Sequence, residues 1–154
     1  MRHLPNRSFK KLAAIALLAG MAVVSTTAMA AHRTTGLGQS WPNAQDVSSS
    51  PRWHVYVFER DGIRYIQIND LHGKVRAAFA ASSGNFLVLP IGADAASLAT
   101  PQDPLPAPAS KTGEIVYHDD AVQVLVAPQA NGTIRTFAAE STCTDPVECS
   151  SRVN

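Results

Sequence analysis

Two residues, Asp61-Gly62, constrain this chain more than any others. They stand between Trp53-His-Val-Tyr-Val-Phe-Glu59 and Ile63-Arg-Tyr-Ile-Gln-Ile-Asn69, two runs rich in β-branched and aromatic residues. Such side chains lose rotamer freedom in a helix and pack well on a pleated surface, so both runs predict strands. A two-residue hairpin turn needs positive φ at both central positions, which Gly adopts freely and Asp tolerates. The turn then sets the register. Glu59 faces Arg64, Val57 faces Ile66 and Val55 faces Ile68, while Phe58 meets Tyr65, Tyr56 meets Gln67 and His54 meets Asn69. Opposed residues share a face, so Trp53, Val55, Val57, Ile66 and Ile68 form a core face. The other face is aromatic and polar.

The same reasoning extends down the chain. A four-residue turn, Asp70 to Gly73, puts Val75, Ala77 and Phe79 of the next strand (Lys74 to Ala80) on the core face. A three-residue loop would set Arg76 beside Ile68, so the face pattern favours the longer one. Ser82 to Asn85 turns the chain into Phe86 to Ile91, and Pro90, which cannot donate to a ladder, marks that strand as an edge. Residues 53–91 therefore predict a four-stranded meander. Pro101, Pro104, Pro106 and Pro108 make 94–113 an extended linker or surface loop, with room for one helical turn between Ala93 and Ala99. Strands resume at Glu114 to His118, Ala121 to Ala127 and Thr133 to Ala139, joined at Asp119-Asp120 and Asn131-Gly132. Two-residue turns there gather Ile115, Tyr117, Val122, Val124, Val126 and Phe137 on one face. Neither unit buries enough alone. Packing the meander on the three-stranded unit, 114–139, predicts an all-β fold, a small antiparallel sandwich or half-open barrel.

The start of the chain has the form of a cleavable leader. Arg2, Arg7, Lys10 and Lys11 precede an apolar run from Leu12 to Val24, and Ala28-Met29-Ala30 is a small-x-small processing site. The run is shorter than the ~20 residues of a spanning helix. The expectation is a periplasmic or secreted protein, cut near Ala30, with no stable membrane insertion afterwards. The chain has 13 Lys+Arg and 12 Asp+Glu, and the leader removes four of the cations; the remainder has 9 against 12, a formal −3. That charge excludes a nucleic-acid partner held through clustered basic residues. Residues 31–52, with Gly36, Gly38, Pro42 and Pro51, read as a flexible lead-in to a single β domain over 53–142. Cys143 and Cys149 predict a disulfide that pins the tail, 143–154, in an oxidising compartment.

The chemistry is sparse. No G-x-S-x-G, H-E-x-x-H, EF-hand or phosphate-binding glycine motif occurs, and the serines cluster in turns and lead-in, so a cell-wall hydrolase is the last of three expectations. The second is a metal carrier. His118, Asp119 and Asp120 offer an imidazole and carboxylates in one turn, and His32 follows the cut closely. The chain is similar in size, compartment and these residues to small periplasmic β-barrel copper carriers, which use a histidine at the mature N-terminus with later His and Asp ligands. Copper is the cofactor that resemblance implies; otherwise none is expected. The first expectation rests on the aromatic-polar face: His54, Tyr56, Phe58, Tyr65, Gln67, Asn69, Lys74 and Arg76. If open, it suits a protein, peptide or glycan of the cell envelope, as in a non-catalytic inhibitor, immunity-type partner or accessory subunit. If closed, the linker or the lead-in covers it.

Overall fold

The computed structural model describes residues 36–110 and 112–152. The leader and His32 lie outside them. Four strands, β1 (Trp53–Arg60), β2 (Ile63–Asp70), β3 (Val75–Ser82) and β4 (Asn85–Val88), form one antiparallel sheet in the order β1-β2-β3-β4. The first hairpin has the expected register throughout, from His54 opposite Asn69 to Glu59 opposite Arg64. Asp61 (φ 54°) and Gly62 (φ 76°) both sit in the left-handed region, as a turn matched to strand twist requires.

The connection to β3 differs from expectation. Asp70 N–H donates to Lys74 C=O (3.0 Å) and Gly73 N–H to Asp70 C=O (2.9 Å), which closes a three-residue loop. Asn69 then pairs with Val75, but Ile68 pairs with Ala77, so Arg76 is the extra residue of a β-bulge. The bulge restores the apolar alternation that the short loop would have reversed. Ala77 and Phe79 reach the core as expected. Val75 does not, and Arg76 leaves the aromatic-polar face to bind Asp94 (Nε to Oδ2, 2.5 Å), Asp70 (3.3 Å) and the carbonyl of Gly132 (2.9 Å).

A single 3₁₀ turn, Ala95–Ser97, follows, and the proline-rich stretch is more than a surface loop. Its β5 (Leu98–Ala99) pairs in parallel with β9 (Ile134–Glu140), making a second, mixed sheet β5-β9-β8-β7 with β7 (Glu114–His118) and β8 (Val122–Pro128). Both hairpins of this sheet depart from the expected register, the first by two residues beside its turn and by one beyond its bulge, the second by one. Asp119 N–H donates to Val122 C=O, so the first turn is centred on Asp120-Ala121, and a bulge at Val116 shifts the pairing again. Gln129 N–H donates to Thr133 C=O, so the second is a three-residue loop with Gly132 at φ 80°. Tyr117, Val122, Val124 and Val126 still face the first sheet, joined by Val116, Ile134, Ala138 and Leu98. Ile115 is exposed, and Phe137, opposite Leu125, faces away from the first sheet.

Both sheets also have covered outer faces. Phe137, Ala127 and Ala99 meet Val147 of α1 (Pro146–Cys149), a short helix started by the Asp145 side chain accepting the Val147 N–H at 2.9 Å. The Cys143–Cys149 disulfide closes across this turn, and β10 (Ser151–Arg152) pairs in parallel with β6 (Leu105–Pro106). Among the described residues no helix is long and apolar enough to cross a membrane.

Candidate binding surface

The aromatic-polar face contains two side-chain amides with nowhere to go on their own. Gln67 and Asn69 are completely buried on β2, and a buried amide without partners costs ~1–3 kcal/mol. The segment 36–52, expected as a flexible lead-in, satisfies them. Gln67 accepts from Gly38 N–H at 2.6 Å and donates to Gln39 C=O at 2.9 Å and to Asn69 Oδ1 at 2.8 Å. Asn69 donates to Ser40 C=O (2.7 Å) and Gly73 C=O (3.1 Å). The segment is thus a strap laid over the face, and Tyr56 and Phe58 are buried beneath it. Gly36 lies against both Phe58 and Pro42, where a Cβ would come 3.0 Å from the ring and 2.9 Å from the proline.

Beyond this point the strap runs along the edge of β1 and crosses to the second sheet. Asp46 bridges Tyr56, Val47 N–H donates to Val55 C=O at 2.9 Å, and Ser49 N–H donates to Val116 C=O at 2.8 Å. Burial pushes the Asp46 carboxyl up, but hydrogen bonds from His54, Val55 N–H and Ser48 N–H outweigh it and hold it below the usual range. Glu114 anchors the same seam, accepting from Trp53 Nε1 and Ser50 Oγ (both 2.8 Å) and pairing with Arg52 at 3.0 Å. Burial raises its carboxyl, and the bonds from Arg52, Ser50 and Trp53 more than reverse that.

What remains open lies on and beside the strap. Trp41 is 59% exposed, yet its indole packs on Gly73, at which any Cβ would overlap the ring, and stands edge-on to His54 with centroids 5.4 Å apart. His54 is fixed from below by Asp46 at 2.7 Å and stacks beside Tyr56. Leu71, in the turn that contains Gly73, is half exposed, and Lys74 is exposed, whereas Tyr65 is half-buried. Of the eight residues expected to form a binding face, only Lys74 is thus exposed, His54 and Tyr65 are half-buried, four are covered and Arg76 is in the bulge. Trp41 stood apart in the expected lead-in, as a residue either docked on the domain edge or exposed, but was not counted in the binding face.

His118 and Asp120 are exposed at the β7–β8 turn. Asp119 is committed elsewhere: Oδ1 accepts from Ala121 N–H (2.8 Å) and Val122 N–H (2.7 Å), and Oδ2 binds Tyr117 O–H (2.6 Å) and Arg64. Burial raises its carboxyl, but Tyr117, the two turn N–H groups and the Arg64 charge bring it below the usual range. Burial, then the hydrogen bond to Asp119, pushes Tyr117 up to about 12. Among the described residues no three His, Cys, Asp or Glu side chains come together as a metal site. Comparison with protein-family models, curated proteins and solved structures gives no significant match.

Proposed function

We propose that the protein is an exported, non-catalytic binding or accessory protein of the cell envelope, of the inhibitor, immunity-type or subunit kind. Its recognition surface is the outside of the strap around Trp41 and His54, not the sheet face beneath. One observation carries this reading: Trp41 is a large aromatic that is mostly exposed and yet fixed, by Gly73 below and His54 at its edge. A rigid exposed indole with a polar neighbour presents apolar area at little conformational cost, the property that marks binding hot spots. The partner is a protein, peptide or glycan of the periplasm or the medium, in keeping with the leader-like start and the Cys143–Cys149 disulfide.

The test uses the mature chain from Ala31, with envelope proteins and purified cell-wall sacculi offered separately. Trp41→Ala should reduce capture by one of them at least tenfold, the scale of a hot-spot truncation, with the thermal midpoint within a few degrees. Equal capture by Trp41→Ala, or no capture by the unaltered protein, overturns the reading. Tyr56→Ala is the wrong probe, because Tyr56 lies under the strap and its loss disturbs the fold.

A further inference from the structure

Among the described residues, the outer edge of β4 is closed by one side chain. Leu89 N–H donates to Ala78 C=O at 3.0 Å, so by the alternation of an antiparallel pair Phe86 and Val88 turn their N–H groups away from β3. Among the described residues no strand lies on that side. Instead the Gln102 amide meets the edge: Oε1 accepts from Phe86 N–H and Nε2 donates to Gly84 C=O, both at 3.2 Å. A primary amide is a peptide group without its chain, so Gln102 does for β4 what one residue of a neighbouring strand would do. Both bonds are at the long end of the normal range, which makes them easy to exchange.

Open cavities flank this contact. One, about 430 Å³, lies toward Gly84 and is walled by Pro101, Glu140 and Thr142; the other, about 550 Å³, runs along Val88, Leu89 and Pro90 against Ala93, Ala96 and Asp103. Among the described residues no Lys, Arg or His lines either of them. Glu140 and Asp103, one in each, have no hydrogen-bond or ion-pair partner for their carboxylates among the described residues. On the outer face of the same strand Leu87 is 65% exposed beside a hollow of about 180 Å³ formed with Ile63 and Ala80.

We infer that the β4 edge is a docking site for an extended, basic polypeptide segment of another protein, which adds as a strand and displaces Gln102. Its backbone takes over the Phe86 N–H and Gly84 C=O and reaches the Val88 N–H. Alternate side chains then point two ways, an apolar one beside Leu87 and cationic ones toward Glu140 and Asp103. A second copy of this chain fits worse, because its own edge, Asn85-Phe-Leu-Val88, brings no positive charge to the two carboxylates. This site is separate from the Trp41 surface and does not depend on it.

The test uses the mature chain and two labelled ten-residue probes, one alternating Val and Lys, the other Val and Glu, read by fluorescence anisotropy at low salt. The Val-Lys probe should bind at least tenfold tighter than the Val-Glu probe, in line with complementary charge at an interface. Glu140→Gln with Asp103→Asn should erase most of that difference, and Gln102→Ala should tighten Val-Lys binding several-fold by removing the competing amide. Val88→Pro should abolish binding, because Pro on an edge strand removes the outward donor. Should Val88→Pro fail to fold, amide exchange in the unaltered protein decides, since Phe86 and Val88 must gain protection when the Val-Lys probe binds. Equal affinity for the two probes, no binding at millimolar concentration, binding without protection at Phe86 and Val88, or a dimer that forms through β4 without peptide would each overturn the inference.

Discussion

The two sheets of the sandwich are closed by different chemistry at their hairpins and at their covers. In the first sheet the β1–β2 turn is specified by backbone: Asp61 and Gly62 take positive φ, and the exposed Asp61 side chain pairs, among the described residues, only with Arg60, at 3.4 Å. In the second, the β7–β8 turn is specified by a side chain, since Asp119 binds two turn N–H groups, Tyr117 and Arg64. The covers divide likewise. The strap over the first sheet is held by amides and ionisable groups, the tail over the second by a disulfide. A turn set by φ reveals itself in two adjacent residues, whereas a turn set by a capping carboxylate depends on contacts 55 positions away.

The largest effect should separate the two turns. Asp119→Ala strips acceptors from Ala121 N–H and Val122 N–H and leaves Arg64 and Tyr117 partly buried without a partner, a loss of about 3 kcal/mol. Asp61→Ala faces only the modest penalty of a non-glycine residue at positive φ, about 1 kcal/mol. Urea unfolding with unchanged m-values measures both. Asp119→Asn keeps the Oδ1 acceptor and should recover about half of the loss, dividing turn capping from the ion pair. Equal midpoints for Asp119→Ala and Asp61→Ala would mean that φ alone closes both hairpins.

Next in size is the tail. Cys143→Ser with Cys149→Ser opens a loop of sequence separation 6, which in the chain-entropy picture costs about 2 kcal/mol. The effect should be local first. Amide protection around Phe137 and Leu125 should fall, because Val147 covers them, while Gln67 and Asn69 under the strap keep theirs. Uniform loss of protection across both sheets would show that the two covers are coupled.

These contrasts explain what could be read from the residues alone. The β1–β2 register was legible because one dipeptide fixes it, and the β4 edge because Pro90 cannot extend a ladder. The second sheet was harder. Asp119-Asp120 reads as a turn centre, but the carboxylate of Asp119 does better as an acceptor one step outside it; that moves the turn by one residue without changing the faces, and the Val116 bulge is what leaves Ile115 exposed. Asn131-Gly132 has the composition of a two-residue turn, yet only Gly132 takes positive φ, and the three-residue loop sends Phe137 to the outer face. Arg76 shows the converse: alternation predicted the faces of Ala77 and Phe79 correctly, while a bulge and a shorter loop achieved them. The strap was legible only as an unresolved choice. The aromatic-polar face was read as either open or covered by the linker or lead-in; which segment closes it, and that Gln67 and Asn69 take their partners from its backbone, depends on long-range closure.

The smallest effect should sharpen the difference between the covers. Asp46 and Glu114 have folded-state pKa values below their ordinary 3.8 and 4.5. Each therefore contributes stability that is present above its ordinary value and lost as pH falls through the lowered one. Asp46 is partly exposed, so its share stays below about 1 kcal/mol. The strap should loosen between about pH 4 and the start of global acid unfolding, whereas the Cys143–Cys149 disulfide that closes the tail does not titrate. Trp53 donates its indole N–H to Glu114 and lies at the strap seam, so its emission reports the event. Glu114→Gln retains an acceptor for Trp53 and Ser50 but cannot titrate. It should lower stability slightly at neutral pH and flatten the acid-induced change in Trp53 emission, read in a Trp41→Phe background. If that change persists undiminished in Glu114→Gln, Glu114 is not the group whose titration loosens the strap, and Asp46 is left to account for it.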